Sequence, residues 1–564
     1  MKNSLKIFIA LFAVVLLTNC TDNFSEINTK PDSFTQDEVS AKYFITSPQY
    51  RLYAPDRYPY WRAQLIHADR YAGQFCFGMK GSWWSDELGY SYNSAYTDAA
   101  WDWLEGYIGN LDNFMKMTAT GGEFENEYMF AIGQIMRGLY FQMYTDAFGM
   151  IPYTEATNPD IVTPKFDDQS VIYAGLIEEL DAAMATIGDA ERTGANVDDV
   201  GDNDIFCNGD LQKWKRLANT LKLRIAMRAY GAPGAGFAQA AISSALAAPL
   251  LDGSADNVLM VKDNIISQWG SACYGDVWYN FGTGSDWTVG KTLIDVLRNN
   301  NDPRLPKYAK PAKGGTVVLE KPTGPEADKH DKRVDYILNV LTDAGVQFTR
   351  TDLDGGNVEI SMPENMYYVG QPTRLNGKIN SYVAYEFFST PADVIIEKKN
   401  AGPIRAELIM ASAESYFLKA EAALRGMSGA GGSAQDLYQE GIRQAMKLWD
   451  VGDAEIDTYL STESYALLNG TMEENMAKIA TQRWVMSYTD GFEAWAIVRD
   501  YGYPAELAQG VSDIDIYGFG DINGKYPQRL RYGNGAANKN GENYNAAVSK
   551  QGPDAQDTKL WWAK

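Results

Sequence analysis

Apolar residues recur at three- and four-residue steps through long stretches of this chain, and that spacing constrains its fold more than anything else. In 125–145 the stripe is Tyr128, Ile132, Ile135, Leu139 and Met143; in 170–187 it is Ile172, Leu176, Leu180, Met184 and Ile187. Each draws one apolar face along a helix. Asp210 is placed to cap a third helix beginning near Leu211. Its buried side is Trp214, Leu217, Leu221 and Ile225, with Lys215, Lys222 and Arg228 expected away from it. Residues 408–449 read as a helical hairpin: LIMASAESYFLKAEAALRG forms one helix, GMSGAGG a turn and SAQDLYQEGIRQAMKLW the return. Small Ala413, Ala420 and Ala423, beside Phe417 and Leu424, suit close antiparallel packing. The expected class is mainly all-α.

Between these blocks, irregular stretches are expected at 73–100, 252–290, 306–335, 349–405 and 510–564, and loops of that length are commonly functional. The Lys-, Pro- and Gly-rich 310–335 reads as solvated. By contrast, 73–100 and 264–290 carry Trp83, Trp84, Tyr90, Tyr92, Tyr96, Trp269, Tyr274, Trp278, Tyr279 and Trp287. Flat amphipathic rings in Gly/Ser/Asn-rich segments suit the apolar faces of sugars, or extended ligands more generally. Trp101 and Trp103 fall in a helical run, AAWDWLEGYIGNLDNF, and are expected in the core.

The formal net charge of −23 argues against nucleic acid, whose recognition needs a basic footprint. It also disfavours electrostatic adhesion to an anionic bilayer. The two histidines, His67 and His330, share no neighbourhood with a nucleophile, and no nucleophile elbow, zinc-protease helix, phosphate loop or dinucleotide fingerprint occurs. An enzyme is therefore not expected, although 73 acidic residues leave room for paired-carboxylate glycoside hydrolysis as a third reading. No cofactor is expected. Asp198-Asp199-Val200-Gly201-Asp202-Asn203-Asp204 could hold Ca²⁺ through oxygen ligands, but it lacks the spacing of a calcium loop and reads as a solvated acidic turn. Cys76, Cys207 and Cys273 allow one disulfide plus a thiol, or three buried thiols.

The N-terminus sets the destination. Lys2 and Lys6 precede an apolar run from Ile7 to Leu17, too short for a bilayer-spanning helix and suited to a secretory signal. Leu17-Thr18-Asn19-Cys20 resembles a bacterial lipoprotein box, with Asn19 where Gly, Ala or Ser is usual. The expected organisation is a signal peptide over 1–19, a lipid-anchored polar tether over 20–40 with Cys20 as the acylated residue, and one domain over 41–564.

Taken in order, further segments carry a family resemblance. They are NFSEINTKPDSFT (23–35), YTDAFGMIPYTEA (144–156), DIFCNGDLQKWKRLANTLKLRIAMR (204–228), DWTVGKTLIDVLRNNNDPRLPKYA (286–309), YYVGQP (367–372), IMASAESYFLKAEAALRG (409–426) and KIATQRWVMSYTDGFEAWAIVRDYGYP (478–504), with a tail holding YPQRLRYG, ENYNAAV and DTKLWW. The chain resembles the SusD/RagB family of Bacteroidetes outer-membrane nutrient-uptake lipoproteins, and the helix start from Gly209 to Trp214 is similar to its SusD-like branch. The resemblance implies a single SusD-like domain of tetratricopeptide-like helix pairs with irregular ligand-binding insertions. It further implies binding without turnover at the cell surface, tethered by lipid to the outer membrane. The implied partner is a SusC-type TonB-dependent β-barrel transporter, with this chain as its lid. The expected ligand is an oligosaccharide, with a peptide or other non-sugar nutrient as the alternative. The candidate ligand residues are Trp83, Trp84, Tyr90, Tyr92, Trp278 and Trp287. Asp302-Pro303-Arg304 reads as a helix stop before extended chain, Arg483, Glu493 and Arg499 as a charge network, and Trp561-Trp562 as a C-terminal pin.

Overall fold

A computed structural model describes residues 39–78, 85–262, 266–280, 287–397 and 405–563. Helix α1 (Thr46–Tyr53) leads to a ten-residue π-helix (Pro59–Ala68). Then come α2 (Ser94–Thr118), α3 (Glu127–Phe148), α4 (Gln169–Ile187), α5 (Leu211–Ala229) and α6 (Ala238–Leu246). They are followed by α7 (Tyr274–Asn280), α8 (Lys291–Asn299) and α9 (His330–Asp343). The C-terminal part holds α10 (Ser412–Leu424), α11 (Ala434–Lys447), α12 (Asp453–Thr462), α13 (Met472–Met486), α14 (Gly491–Tyr501) and α15 (Gly541–Gln551). Among the described residues, no helix is long and apolar enough to cross a membrane.

Helices pack on their neighbours in chain order, α3 on α4, α4 on α5, α5 on α6, α10 on α11 and α13 on α14, which makes the helical pairs expected of a single domain. The caps follow local chemistry. Asp210 accepts from Lys213 N at 2.9 Å, as the sequence predicts, and Asn93, Asn126 and Thr471 cap α2, α3 and α13. The α10–α11 pair closes at Gly441, where an added Cβ would lie 2.7 Å from the Phe417 ring. That hairpin begins later than its pattern suggests. Residues Glu407–Met410 form strand β7 (Glu407–Met410), paired antiparallel with β2 (Val258–Met260), because a partner strand distant in sequence claims their backbone hydrogen bonds.

Helix α5 departs from a one-faced pattern. It packs against α3, α4, α6 and α10, so Lys222 and Arg228, expected away from the core, are buried. Lys222 pairs with Asp181 at 2.5 Å, and Arg228 with Asp146 at 2.6 Å and Glu493 at 2.5 Å. Nearby, Glu414 receives Arg224 Nε at 2.7 Å and Arg483 at 3.2 Å. Arg483 also reaches Glu493 at 3.5 Å, as expected. Arg499 instead donates to the carbonyls of Asp146 and Gln528 and lies 3.6 Å above the Trp495 ring. Buried ions so arranged demand partners, since removing one leaves its mate uncompensated. Trp562 is fully buried between Arg228 and Arg499, and Trp561 Nε1 donates to Pro233 O at 2.7 Å, so the pin holds.

Two further expectations are corrected. Asp302 accepts from Arg304 N and Nε, both at 2.9 Å, and this carboxylate closes a turn into a short helix, Leu305–Tyr308, in place of extended chain. The stretch 310–335 is more than solvated loop. Strand β4 (Gly315–Leu319) pairs with β6 (Val358–Met362), which pairs with β5 (Thr349–Asp352). The inward side chains Val317, Leu319 and Ile360 meet Ile337 and Leu341 of α9 and Phe387 in a second apolar core. Two-stranded β1 (Phe75–Cys76) and β3 (Thr288–Val289) link the aromatic-rich insertions. Cys76, Cys207 and Cys273 are all free and buried.

Candidate functional site

The insertions rest on a buried floor. Arg70 pairs with Asp86 at 2.9 Å and donates to the carbonyls of Asp86 and Leu88, so residues 85–90 are fixed from beneath. Asp86 also accepts from Phe77 N at 2.7 Å and Leu375 N at 3.1 Å. Burial pushes the Asp86 carboxyl up, and the Arg70 charge and backbone donors oppose that push. The Tyr90 ring lies between two guanidinium groups, Arg374 at 4.4 Å and Arg70 at 5.5 Å, and burial pushes its hydroxyl up. Arg70 stacks also on Phe77 at 5.0 Å, and Phe77 meets Trp287 edge-on at 6.3 Å. Trp287 in turn meets Trp278 at 4.9 Å. Tyr90, Trp278 and Trp287 therefore belong to one continuous layer, exposed by only 4 %, 9 % and 0 %. Edge-to-face ring pairs of this kind each add about 0.5–1.5 kcal/mol beyond their burial.

Above this floor the π-helix presents a surface cluster. The Arg62 guanidinium lies 4.6 Å from the Tyr58 ring, 5.1 Å from Trp61 and 5.6 Å from Tyr96, while its Nη1 donates to Ala95 O at 2.9 Å. Trp61 and Tyr96 meet edge-on at 5.8 Å. Tyr58 is 54 % exposed and offers a ring face to solvent. Beside it Arg57 grips Asp276 of α7 through Nε at 2.5 Å and Nη2 at 3.3 Å. π-Helical turns frequently mark functional sites, and here the turn sets Trp61 and Arg62 against the start of α2.

Tyr92 sits at the same loop's outer end, half-buried. Arg531 covers its ring at 4.2 Å, its hydroxyl donates to Asp98 at 3.1 Å, and its N–H donates to Asp521 at 2.6 Å. Trp83, Trp84 and Cys20 lie outside the described residues. Sequence reasoning missed the outer cluster, although Arg57-Tyr58-Pro59-Tyr60-Trp61-Arg62 concentrates rings and guanidinium groups in six positions. A ring face beside guanidinium and carboxylate groups can cover the C–H face of a sugar and bond its hydroxyls.

Both histidines have structural places. His67 Nδ1 lies 2.5 Å from Arg62 O, and burial lowers its imidazole to about 4. His330 Nδ1 lies 2.7 Å from the Tyr382 hydroxyl. In the acidic turn, Asp204 is buried and accepts from Gln49 Nε2, the Cys207 and Gly209 N–H groups and Trp214 Nε1. Among the described residues, no group of three or more His, Cys, Asp or Glu is placed to hold a metal ion.

The comparisons agree with this architecture. A solved structure named as a chitin-binding protein is 26 % identical, with a TM-score of 0.69 over 93 % of this chain and 100 % of that one. A SusD-like protein from Bacteroides thetaiotaomicron is 22 % identical, with a TM-score of 0.67 over 93 % and 98 %. A SusD homologue from Bacteroides uniformis is 23 % identical, with a TM-score of 0.68 over 93 % and 99 %. No curated protein sequence matches. The family described as "Starch-binding associating with outer membrane" matches residues 34–325 and 358–532. The chain belongs to this SusD-like family, whose members are outer-membrane-associated binding proteins.

Proposed function

We propose that this protein is a cell-surface nutrient-binding lipoprotein that takes up a glycan on the face built by Tyr58, Arg62 and Tyr96 over the buried Trp61 ring. The observation that carries the reading is the Arg62 guanidinium packed against three rings, one of them open to solvent. The order this imposes on the rings suits stacking on a pyranose, and the Arg57–Asp276 pair supplies donors and acceptors for hydroxyls beside it. Membership of a starch-binding family and likeness to a chitin-binding protein support a polysaccharide-derived ligand. Tyr92 lies at the end of the same insertion, Tyr90, Trp278 and Trp287 pack beneath it, and Trp83 and Trp84 stand as further ligand candidates on sequence alone.

In this reading Cys20 carries the lipid, residues 20–40 are the tether, and the body is the lid of a SusC-type TonB-dependent transporter. The reading needs neither catalysis nor a cofactor. Isothermal titration of maltoheptaose, chitohexaose and a set of hexapeptides tests it. Binding of a glycan, weakened at least tenfold by Arg62→Ala and by Trp84→Ala with the melting temperature held, supports it. Binding of peptides with no glycan bound would overturn it. Globomycin-sensitive processing and loss of membrane attachment in Cys20→Ala test the anchor, and co-purification of a β-barrel tests the partner.

A further inference from the structure

A second cleft opens where the helical body meets the smaller apolar core, and its walls come from four separate stretches of chain. Its volume is about 580 Å³, inside the ~300–1,000 Å³ range of small-molecule sites. One wall is the start of α8 and the segment after α14, the other is α9. Thr292 Oγ1 donates to Glu506 Oε2 at 3.2 Å, and Lys291 Nζ sits 2.5 Å from Asp295 and 3.6 Å from Glu506. Across the cleft the hydroxyls of Tyr336 and Tyr517 meet at 2.6 Å, their rings edge-on at 5.8 Å. Asn339 lies on the rim and is exposed.

This chemistry selects a class of ligand. The one lysine of the lining is already engaged by Asp295 and Glu506, and Asp343 brings further negative charge, so an anion is repelled. Two tyrosine hydroxyls bonded to each other keep one proton and several lone pairs for a guest. Val340, Pro372 and Leu507 supply apolar surface between the polar groups. Such alternation fits hydroxyls and C–H faces together. The wall formed by α9 falls between the two stretches that the family match covers, 34–325 and 358–532.

We propose that this cleft is a second ligand site, for an uncharged, hydroxyl-rich segment about the size of a short oligosaccharide, separate from the aromatic–arginine face. It stands whether or not that face binds glycan. Titration calorimetry of the full chain with maltotriose, cellotriose and triacetylchitotriose, with trigalacturonate as the anionic control, tests it. The variant Asn339→Trp changes an exposed helical position and plugs the opening, so the fold is kept, as an unchanged melting temperature would verify. The expected result is that at least one neutral trisaccharide binds and that Asn339→Trp weakens it tenfold or more, with trigalacturonate at least tenfold weaker than the neutral probe on the parent chain. Glu506→Gln, which removes charge and keeps shape, should narrow that anionic gap. The proposal fails if no neutral probe responds to Asn339→Trp, or if trigalacturonate binds there as well as a neutral sugar. Binding that responds to Arg62→Ala alone would overturn this cleft and leave the reading of the aromatic face intact.

Discussion

Replacing Asp69 by Asn should make the protein more stable at neutral pH and less stable in acid. Asp69 follows the π-helix, fully buried, with Tyr274 Oη donating to its Oδ2 at 2.8 Å and Oδ1 without a hydrogen-bond partner. Burial pushes its carboxyl from 3.8 up to about 8, against the Tyr274 hydrogen bond and aided by nearby Asp490. The folded protein therefore holds a proton there that the unfolded chain releases near pH 4. Between those values the folded state binds more protons, so stability falls as pH rises, by about 1.4 kcal/mol per pH unit. The loss at pH 7 is about 4 kcal/mol relative to acid. An asparagine amide has no proton to lose, but it leaves one NH₂ group unpaired at about 1 kcal/mol. The net gain of about 3 kcal/mol at pH 7 translates, in a chain this long, to about 3 °C in melting temperature. The assay is differential scanning fluorimetry of both proteins from pH 4 to 9 at one scan rate. The difference should change sign between pH 4 and 5, grow through pH 7 and flatten above pH 8. A difference that is constant with pH, or that favours the parent at pH 8, refutes the reasoning.

Glu414→Gln should destabilise by about 3–5 kcal/mol, because Arg224 and Arg483 lose the carboxylate that burial would raise but which they hold down at about 2; urea titration followed by tryptophan fluorescence checks it. Gly441→Val drives a side chain into Phe417 and should cost about 1–3 kcal/mol, read as a lower urea midpoint with little change in slope. The His67 imidazole, lowered by burial to about 4, should stay neutral at pH 5.5, and its NMR carbon shifts should not move between pH 5.5 and 8.

The parts of the fold legible in the sequence are those that one helix decides alone. Ile132, Ile135 and Leu139 are buried as their spacing predicts, and Asp210 caps because its partner is three residues away. What stayed hidden depends on partners distant in the chain. Lys222 and Arg228 look like solvent-facing charges until α3, α4, α6 and α10 surround their helix, and Glu493 lies 265 residues beyond Arg228. Strand β7 reads as helix because β2, which pairs it, is remote. For the site, aromatic enrichment marked the right insertions but not their depth. Tyr90 is the same residue type as exposed Tyr58 and Trp287 is likewise aromatic, and only packing on Arg374 and Phe77 separates floor from surface.

The placement of Trp562 has a temporal meaning. Its indole lies between Arg228 of α5 and Arg499 of α14, so two buried guanidinium groups lack this cover until residue 562 is in place. A chain is made from its N-terminus, so α5 and α14 are both complete before the residue that covers their guanidinium groups is added. Trp562 thus works as a latch that joins two helices far apart in the chain after both have been made.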